Sequence, residues 1–108
     1  MIQFQLLFEV EPSKAQEFER CFFEVFQPAL SRQAGFISVK LLRIFSPAVQ
    51  AEIQSAKSEH NYQVNFFFES EQARRKWATS PDHDIAWPKM SALTKQALWR
   101  GFDVVESP

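Results

Sequence analysis

The side chain in this sequence best suited to moving a proton is His83. An imidazole changes charge near neutral pH and can take a proton from a phenol or quinol held against it. Trp77 precedes it and Trp87 follows it by one helical turn, and the flat face of an indole suits a flat aromatic ligand. Tyr62, Phe66 and Phe68 recur with period two and offer further aromatic lining, while Arg74 could reach an anionic group at the pocket mouth. A deprotonated phenol is electron-rich enough to pass an electron to dioxygen, so this set needs no metal and no cofactor. A plainer role is open to the same histidine: it stands in the first turn after Ser80-Pro81, where it could simply bond a backbone group.

Other chemistries find little support. His60 reads as a solvated loop residue, and no Cys or carboxylate stands at ligand spacing from either histidine, so a structural metal site is not expected. Gly35 and Gly101 are the only glycines, which leaves no phosphate-cradling loop. The serines lack a nucleophile-elbow context. Arg74-Arg75-Lys76 reads mainly as the exposed face of a helix.

These residues must be positioned by strands and helices whose signals alternate along the chain. Residues 2–10 place Ile2, Phe4, Leu6, Phe8 and Val10 on one face, the period of a strand. Ser13 and Gln16 have the spacing of a capping box, and Phe18, Phe22, Val25, Phe26 and Ala29 then form a helical stripe. Pro28 should kink or weaken the last turn, and Gly35 reads as a C-terminal cap. Residues 36–45 predict a second strand with Ile37, Val39 and Leu41 on one face. Residues 46–61 are too long for a tight hairpin and read either as a flap over a pocket or as a solvated excursion, with a turn or two of helix over 51–57.

The third strand is expected over 62–69, with Tyr62, Val64, Phe66 and Phe68 on one face. Ser70 caps the next helix, with Glu71 near its positive end; Ser80-Pro81 restarts it. Beyond the restart, His83, Ala86, Trp87, Met90, Leu93 and Ala97 fall on one side, and Pro88 could bend this part. Residues 98–105 close the pattern as a last strand, with Leu98, Arg100, Phe102 and Val104 toward the helices and Trp99 away from them.

The order β-α-β-β-α-β predicts a ferredoxin-like α+β domain: a four-stranded antiparallel sheet with two helices on one face. The face away from the helices would carry Gln3, Gln5, Leu7, Ser38, Lys40, Leu42, Ile44, Asn65, Phe67, Trp99 and Val105. It is too apolar to stay wet, so a homodimer with these faces together is expected.

With 108 residues, the chain suits a single domain over 1–108. Its 12 Phe exceed what so small an interior needs, which points to an interface or a pocket. A net charge of -1 without a basic stripe argues against nucleic acid, and no apolar run has the length of a membrane span. The N-terminus lacks the basic and apolar regions of a signal peptide. Cys21 is the only cysteine, expected buried and inert, so no internal disulfide can form and a cytoplasmic location is expected.

Three passages carry a family resemblance: Ala34-Gly35-Phe36-Ile37, Phe68-Glu69-Ser70-Glu71-Gln72-Ala73 and Trp77-Ala78-Thr79-Ser80-Pro81-Asp82-His83. In this order and spacing the chain resembles, over nearly its whole length, the antibiotic biosynthesis monooxygenase (ABM) family of the dimeric α+β barrel superfamily. The resemblance implies two sheets facing each other across a dimer, a pocket between helices and sheet in each subunit, and cofactor-free oxygenation of polyphenols or quinols in some members. His83 matches a histidine the family often has after the Ser-Pro turn, and Trp77 an aromatic or His position near the pocket. The Asn and Trp that polyketide-oxidising members carry on the third strand are here Val64 and Phe68, and a tyrosine early in the second helix is Arg74. Heme-degrading members carry a first-strand Asn and a helix His where this chain has Leu6 or Leu7 and Trp87. The expected function is cofactor-independent oxygenation of a small aromatic or quinol-like substrate. The alternatives are non-catalytic binding of a small hydrophobic molecule and, against the residues just named, heme binding or degradation.

Overall fold

The computed structural model describes residues 1–106. Its strands are β1 (Ile2–Glu9), β2 (Phe36–Arg43), β3 (Tyr62–Phe68) and β4 (Gln96–Asp103), antiparallel throughout in the order β2-β3-β1-β4. Helices α1 (Ala15–Cys21) and α2 (Gln27–Ser31) fill the first crossover, and α4 (Glu71–Ala78) and α5 (Pro81–Ser91) the second. A short α3 (Pro47–Glu52) lies between β2 and β3. The molecule is a slab of 40 × 39 × 18 Å, one sheet deep and one helix layer deep. This is the ferredoxin-like α+β arrangement that the strand and helix order predicts.

The core lies between the layers. Phe8, Phe66 and Phe68 from the sheet meet Phe18, Phe22 and Phe26 from the first helical segment, all under 2% exposed. Burying one such ring stabilises the fold by roughly 1.5–3 kcal/mol. Phe18 packs at 5.1 Å from Phe8 and 5.0 Å from Tyr62, and Phe26 meets Trp77 edge-on at 5.7 Å. The other six Phe are not fully buried, and Phe23, Phe45 and Phe102 are exposed.

Several local expectations are corrected by the structure. No capping box forms: Pro12–Lys14 is a 3-10 turn with Ser13 inside it, and α1 begins at Ala15 with no side-chain cap. Between α1 and α2 runs a π-helical turn, Phe22–Phe26, in which the Gln27 N–H donates to the Phe22 carbonyl five residues back. Pro28 follows in the first turn of α2, where its missing N–H is tolerated, so the irregularity lies before the proline rather than after it. Gly35 stands beyond the helix, in the turn into β2. Its φ of +83° is open to glycine, and a Cβ there would come 2.8 Å from that of Ala73.

A bulge shifts the start of β2: Phe36 pairs with Phe68, but Ser38 pairs with Phe67. The extra residue turns Phe36 onto the core side, edge-on to Phe68 at 6.1 Å, and leaves Ile37 46% exposed instead of sharing a face with Val39. Helix formation after β2 starts at Pro47, earlier than 51–57, because Ser46 Oγ accepts from the Val49 N–H.

The largest correction concerns β4. Leu6 stands opposite Trp99, and Phe4 opposite Gly101, in the β1–β4 register. Residues directly opposite share a face, so Ala97, Trp99 and Gly101 face the helices while Leu98, Arg100 and Phe102 face away. The strand carries large apolar residues on both sides, so its own alternation could not decide the orientation; the pairing with β1 does. Ala97 belongs to this strand and not to the α5 stripe, which ends with Ala86 and Met90 buried. The open face therefore runs in rows across the sheet: Phe102, Gln3, Phe67 and Ser38; Arg100, Gln5, Asn65 and Lys40; Leu98, Leu7, Gln63 and Leu42. The middle row is wholly polar, and the large apolar residues Phe102, Phe67, Leu98, Leu7 and Leu42 stand in the rows on either side, beside Gln3, Ser38 and Gln63.

Candidate functional site

Two serines set the position of His83. Ser80 Oγ accepts from the His83 N–H at 3.1 Å and donates to the Trp77 carbonyl at 2.7 Å. One hydroxyl thus closes α4 and opens α5, and brings Trp77, from the end of one helix, against His83, from the start of the next. Upstream, Ser70 Oγ accepts from the Ala73 N–H at 3.1 Å and fixes the start of α4, which carries Arg74 and Trp77.

The result is an aromatic box. The imidazole stands edge-on to Trp77, 5.1 Å between centroids, and near-parallel to Trp87 at 6.4 Å and 18°. Trp87 in turn meets Phe8 and, across the sheet edge, Trp99. Phe4 and Phe66, 5.4 Å apart, floor a cavity of about 210 Å³ whose walls are Trp77, His83, Trp87 and Trp99. Arg74 and Ala78 close its rim. The Nδ1 atom of His83 is enclosed and has no hydrogen-bond partner; the nearest acid, Asp84, stands 3.8 Å away, beyond a hydrogen bond.

Arg74 does not wait for an anion. Its guanidinium grips Glu71 through Nε at 2.8 Å and Nη2 at 2.6 Å and lies over the Phe4 ring at 5.1 Å. Arg74, with some help from Arg75, holds the Glu71 carboxyl down to about 2, and Glu71 raises the Arg74 pKa in return.

Of the residues singled out by sequence, His83, Trp77, Trp87, Phe66 and Arg74 meet at this cavity. Phe68 and Tyr62 do not. Phe68 is fully buried under Phe36 and Phe66, in the core rather than at a surface a ligand could reach. Tyr62 lies at the opposite end of β3, where its hydroxyl donates to Glu19, which also accepts from Arg43 at 2.9 Å. Burial and the Glu19 carboxylate push the Tyr62 phenol up. Neither residue is separated from Phe66 by its face, only by its place along the strand. Trp99 joins the box although its strand phase had pointed it away, and Phe4 joins as the floor; the β1–β4 pairing is what brings both in. Residues 46–61 contribute nothing to this cavity and so are no flap over it.

Elsewhere, Cys21 is partly exposed, with its thiol pushed up by burial and drawn back by Lys89. The His60 Nε2 is enclosed rather than solvated. Among the described residues, no three His, Cys, Asp or Glu side chains come together as a metal site, and no helix is long and apolar enough to cross a membrane.

A split β-α-β sheet with an aromatic cavity under its second crossover defines a ferredoxin-like α+β protein. Residues 1–86 match the antibiotic biosynthesis monooxygenase family, and the chain belongs to it. A point mutant of SnoaB, a cofactor-independent oxygenase from Streptomyces nogalater, is similar in structure: TM-score 0.76 and 21% identity over 98% of this chain and 94% of that one. A Caulobacter crescentus CB15 protein classed with the antibiotic biosynthesis monooxygenases superposes with TM-score 0.73 at 22% identity, covering 97% of this chain and 90% of that one. A dimeric ferredoxin-like protein of unknown function from Thermobifida fusca YX gives 0.71 at 14% identity over 95% and 90%. No curated protein matches the sequence significantly.

Proposed function

We propose that the chain is a cofactor-independent monooxygenase acting on a small phenol or quinol, with His83 as its base. The observation that carries the reading is the His83 ring in the wall of a cavity it shares with Trp77, Trp87 and Trp99, edge-on to the first and near-parallel to the second. Family membership supports the same chemistry. A phenol seated on Phe4 and Phe66 gives its proton to His83. The phenolate passes one electron to dioxygen, and the resulting superoxide and phenoxyl radical combine to form a C–O bond at a ring carbon that still bears hydrogen. His83 gives the phenol proton to the peroxide so formed, then takes the proton of the ring carbon as the O–O bond breaks and passes it to the departing hydroxide, which leaves a carbonyl and water. Dioxygen supplies one atom to product and one to water, and the substrate supplies all the electrons. Oxygen uptake with a panel of quinols and phenols, wild type against His83→Ala, tests the reading; no uptake by the wild type on any of them overturns it.

A second reading uses the same cavity without turnover: a carrier of a small hydrophobic molecule. Its support is that no carboxylate lies within bonding distance of His83 Nδ1 to orient the ring. Saturable binding without oxygen uptake would establish it. Heme binding has the weaker case, since Leu6 or Leu7 and Trp87 stand at the positions where heme-degrading members of the family carry an Asn and a His.

In either reading the protein works as a homodimer through the open sheet face. Leu42, Leu98 and Phe102 are each about half exposed there, more apolar surface than a sheet face leaves to water without a partner. Several structurally similar proteins are described as dimeric.

A further inference from the structure

Gly101 sits in the interior of β4, a place where glycine weakens a strand unless something needs its bareness. The backbone does not need it: Gly35 is the one glycine among the described residues with positive φ. Packing does not need it either. A Cβ at position 101 would touch only the Phe4 ring, at 3.4 Å, an ordinary contact, and would otherwise enter open space. That space lies on the helix side, one strand step along β4 from Trp99. Beyond it is a second cavity, of about 290 Å³, whose wall includes Gly101, Asp103, Gln3 and Glu71. Phe4 and Arg74 border both cavities, so the two adjoin across these side chains. The aromatic box alone, at about 210 Å³, is below the usual size of a small-molecule site, roughly 300–1,000 Å³.

We propose that the missing side chain at Gly101 joins the two cavities into one elongated site, with an aromatic ring in the indole box and a neutral, hydroxyl-bearing second portion over Gly101. The inference rests on the reading of the indole box as an aromatic-ligand site and adds its length and polarity. The outer compartment favours donors over acids: of its two carboxylates, Glu71 is matched by Arg74 and by Arg75 behind it, while Asp103 has no cation paired with it among the described residues. A hydroxyl there can donate to a carboxylate, whereas an anionic group meets the Asp103 carboxylate while the Arg74 guanidinium is held by Glu71.

Calorimetric titration with three probes tests this: phenol, 4,4′-dihydroxybiphenyl and 4′-hydroxybiphenyl-4-carboxylate. Wild type should bind the dihydroxybiphenyl at least tenfold more tightly than phenol, and more tightly than the carboxylate. Gly101→Val should remove the advantage of the longer probe and leave phenol unchanged, with Gly101→Ala in between. An unaltered melting temperature in either variant confirms that the fold survives. Equal affinities of wild type and both variants for the dihydroxybiphenyl, or tightest binding of the carboxylate, would overturn the inference while leaving the indole box as a site. Binding of none of the probes by wild type would overturn both.

Discussion

Trp99 meets Trp87 edge to face, with ring centroids 5.9 Å apart and planes at 89°, although the first belongs to an edge strand and the second to α5. The contact closes the box on its outer side, yet Trp99 is 59% exposed. So much exposure means that it serves the cavity more than the core. Trp99→Ala should therefore cost less than about 1 kcal/mol of folding stability, far below the figure for a buried aromatic, while weakening an aromatic ligand about tenfold. Paired melts and titrations decide it; a loss of several kcal/mol with unchanged affinity would assign Trp99 to the core.

His83 and Trp77 touch, but their losses should differ in kind. His83→Ala is expected to lower oxygen uptake about 10²-fold, the lower range for removing a positioned base, with a small change in melting temperature. Trp77 is 3% exposed, and Trp77→Ala should cost about 3–5 kcal/mol. Trp87→Ala should fall below that, because its ring is only partly buried. Equal, large losses of stability for His83→Ala and Trp77→Ala would make the histidine structural.

Glu71 links stability to acid. Its folded pKa is depressed to about 2 by Arg74 and Arg75. Its contribution is thus complete above its ordinary value of 4.5 and fades as pH falls toward 2. The carboxylate is 47% exposed, so solvent screening keeps the contribution under about 1 kcal/mol. Wild type should melt slightly higher than Glu71→Gln at pH 6, and the gap should close by pH 2. A gap that widens on acidification would contradict the pairing.

The open sheet face should hold a second copy. Light scattering behind a sizing column should give a dimer at micromolar concentration. Leu7→Glu, in the row with Leu98, Gln63 and Leu42, should yield monomer with its secondary structure retained. A monomeric wild type would sink the dimer reading.

Hemin should not bind at one per chain. The expected result is no sharp, saturable Soret shift on titration; such a shift, lost in His83→Ala, would make that histidine an iron ligand instead.

Elements whose signals are local were legible in the sequence. The alternation of β1 and β3, and the capping serines Ser70 and Ser80, act through their own neighbours, and they place α4, α5 and hence His83 against Trp77. What could not be read depends on pairing across the sheet. The bulge at Ile37 exists only relative to β3, and the orientation of Trp99 only relative to Leu6. The capture of Arg74 by Glu71 did have a local sign, an acid three residues before a base on one helix, and it occupies the cation that the sequence offers to a ligand. The π turn before Pro28 has no sequence signal beyond the proline itself.

All three tryptophans of the chain border one cavity. The protein's tryptophan emission, excited beyond the tyrosine absorption band, therefore comes from a single place and carries no direct signal from the β2 end of the sheet, α3 or the Tyr62 cluster. Heating followed by emission will report the parting of α5 from the β4 edge, while far-ultraviolet dichroism will report the loss of backbone order everywhere. If that edge opens ahead of the remainder, the two curves will separate, and a two-state fit to either alone would misjudge the stability of the whole.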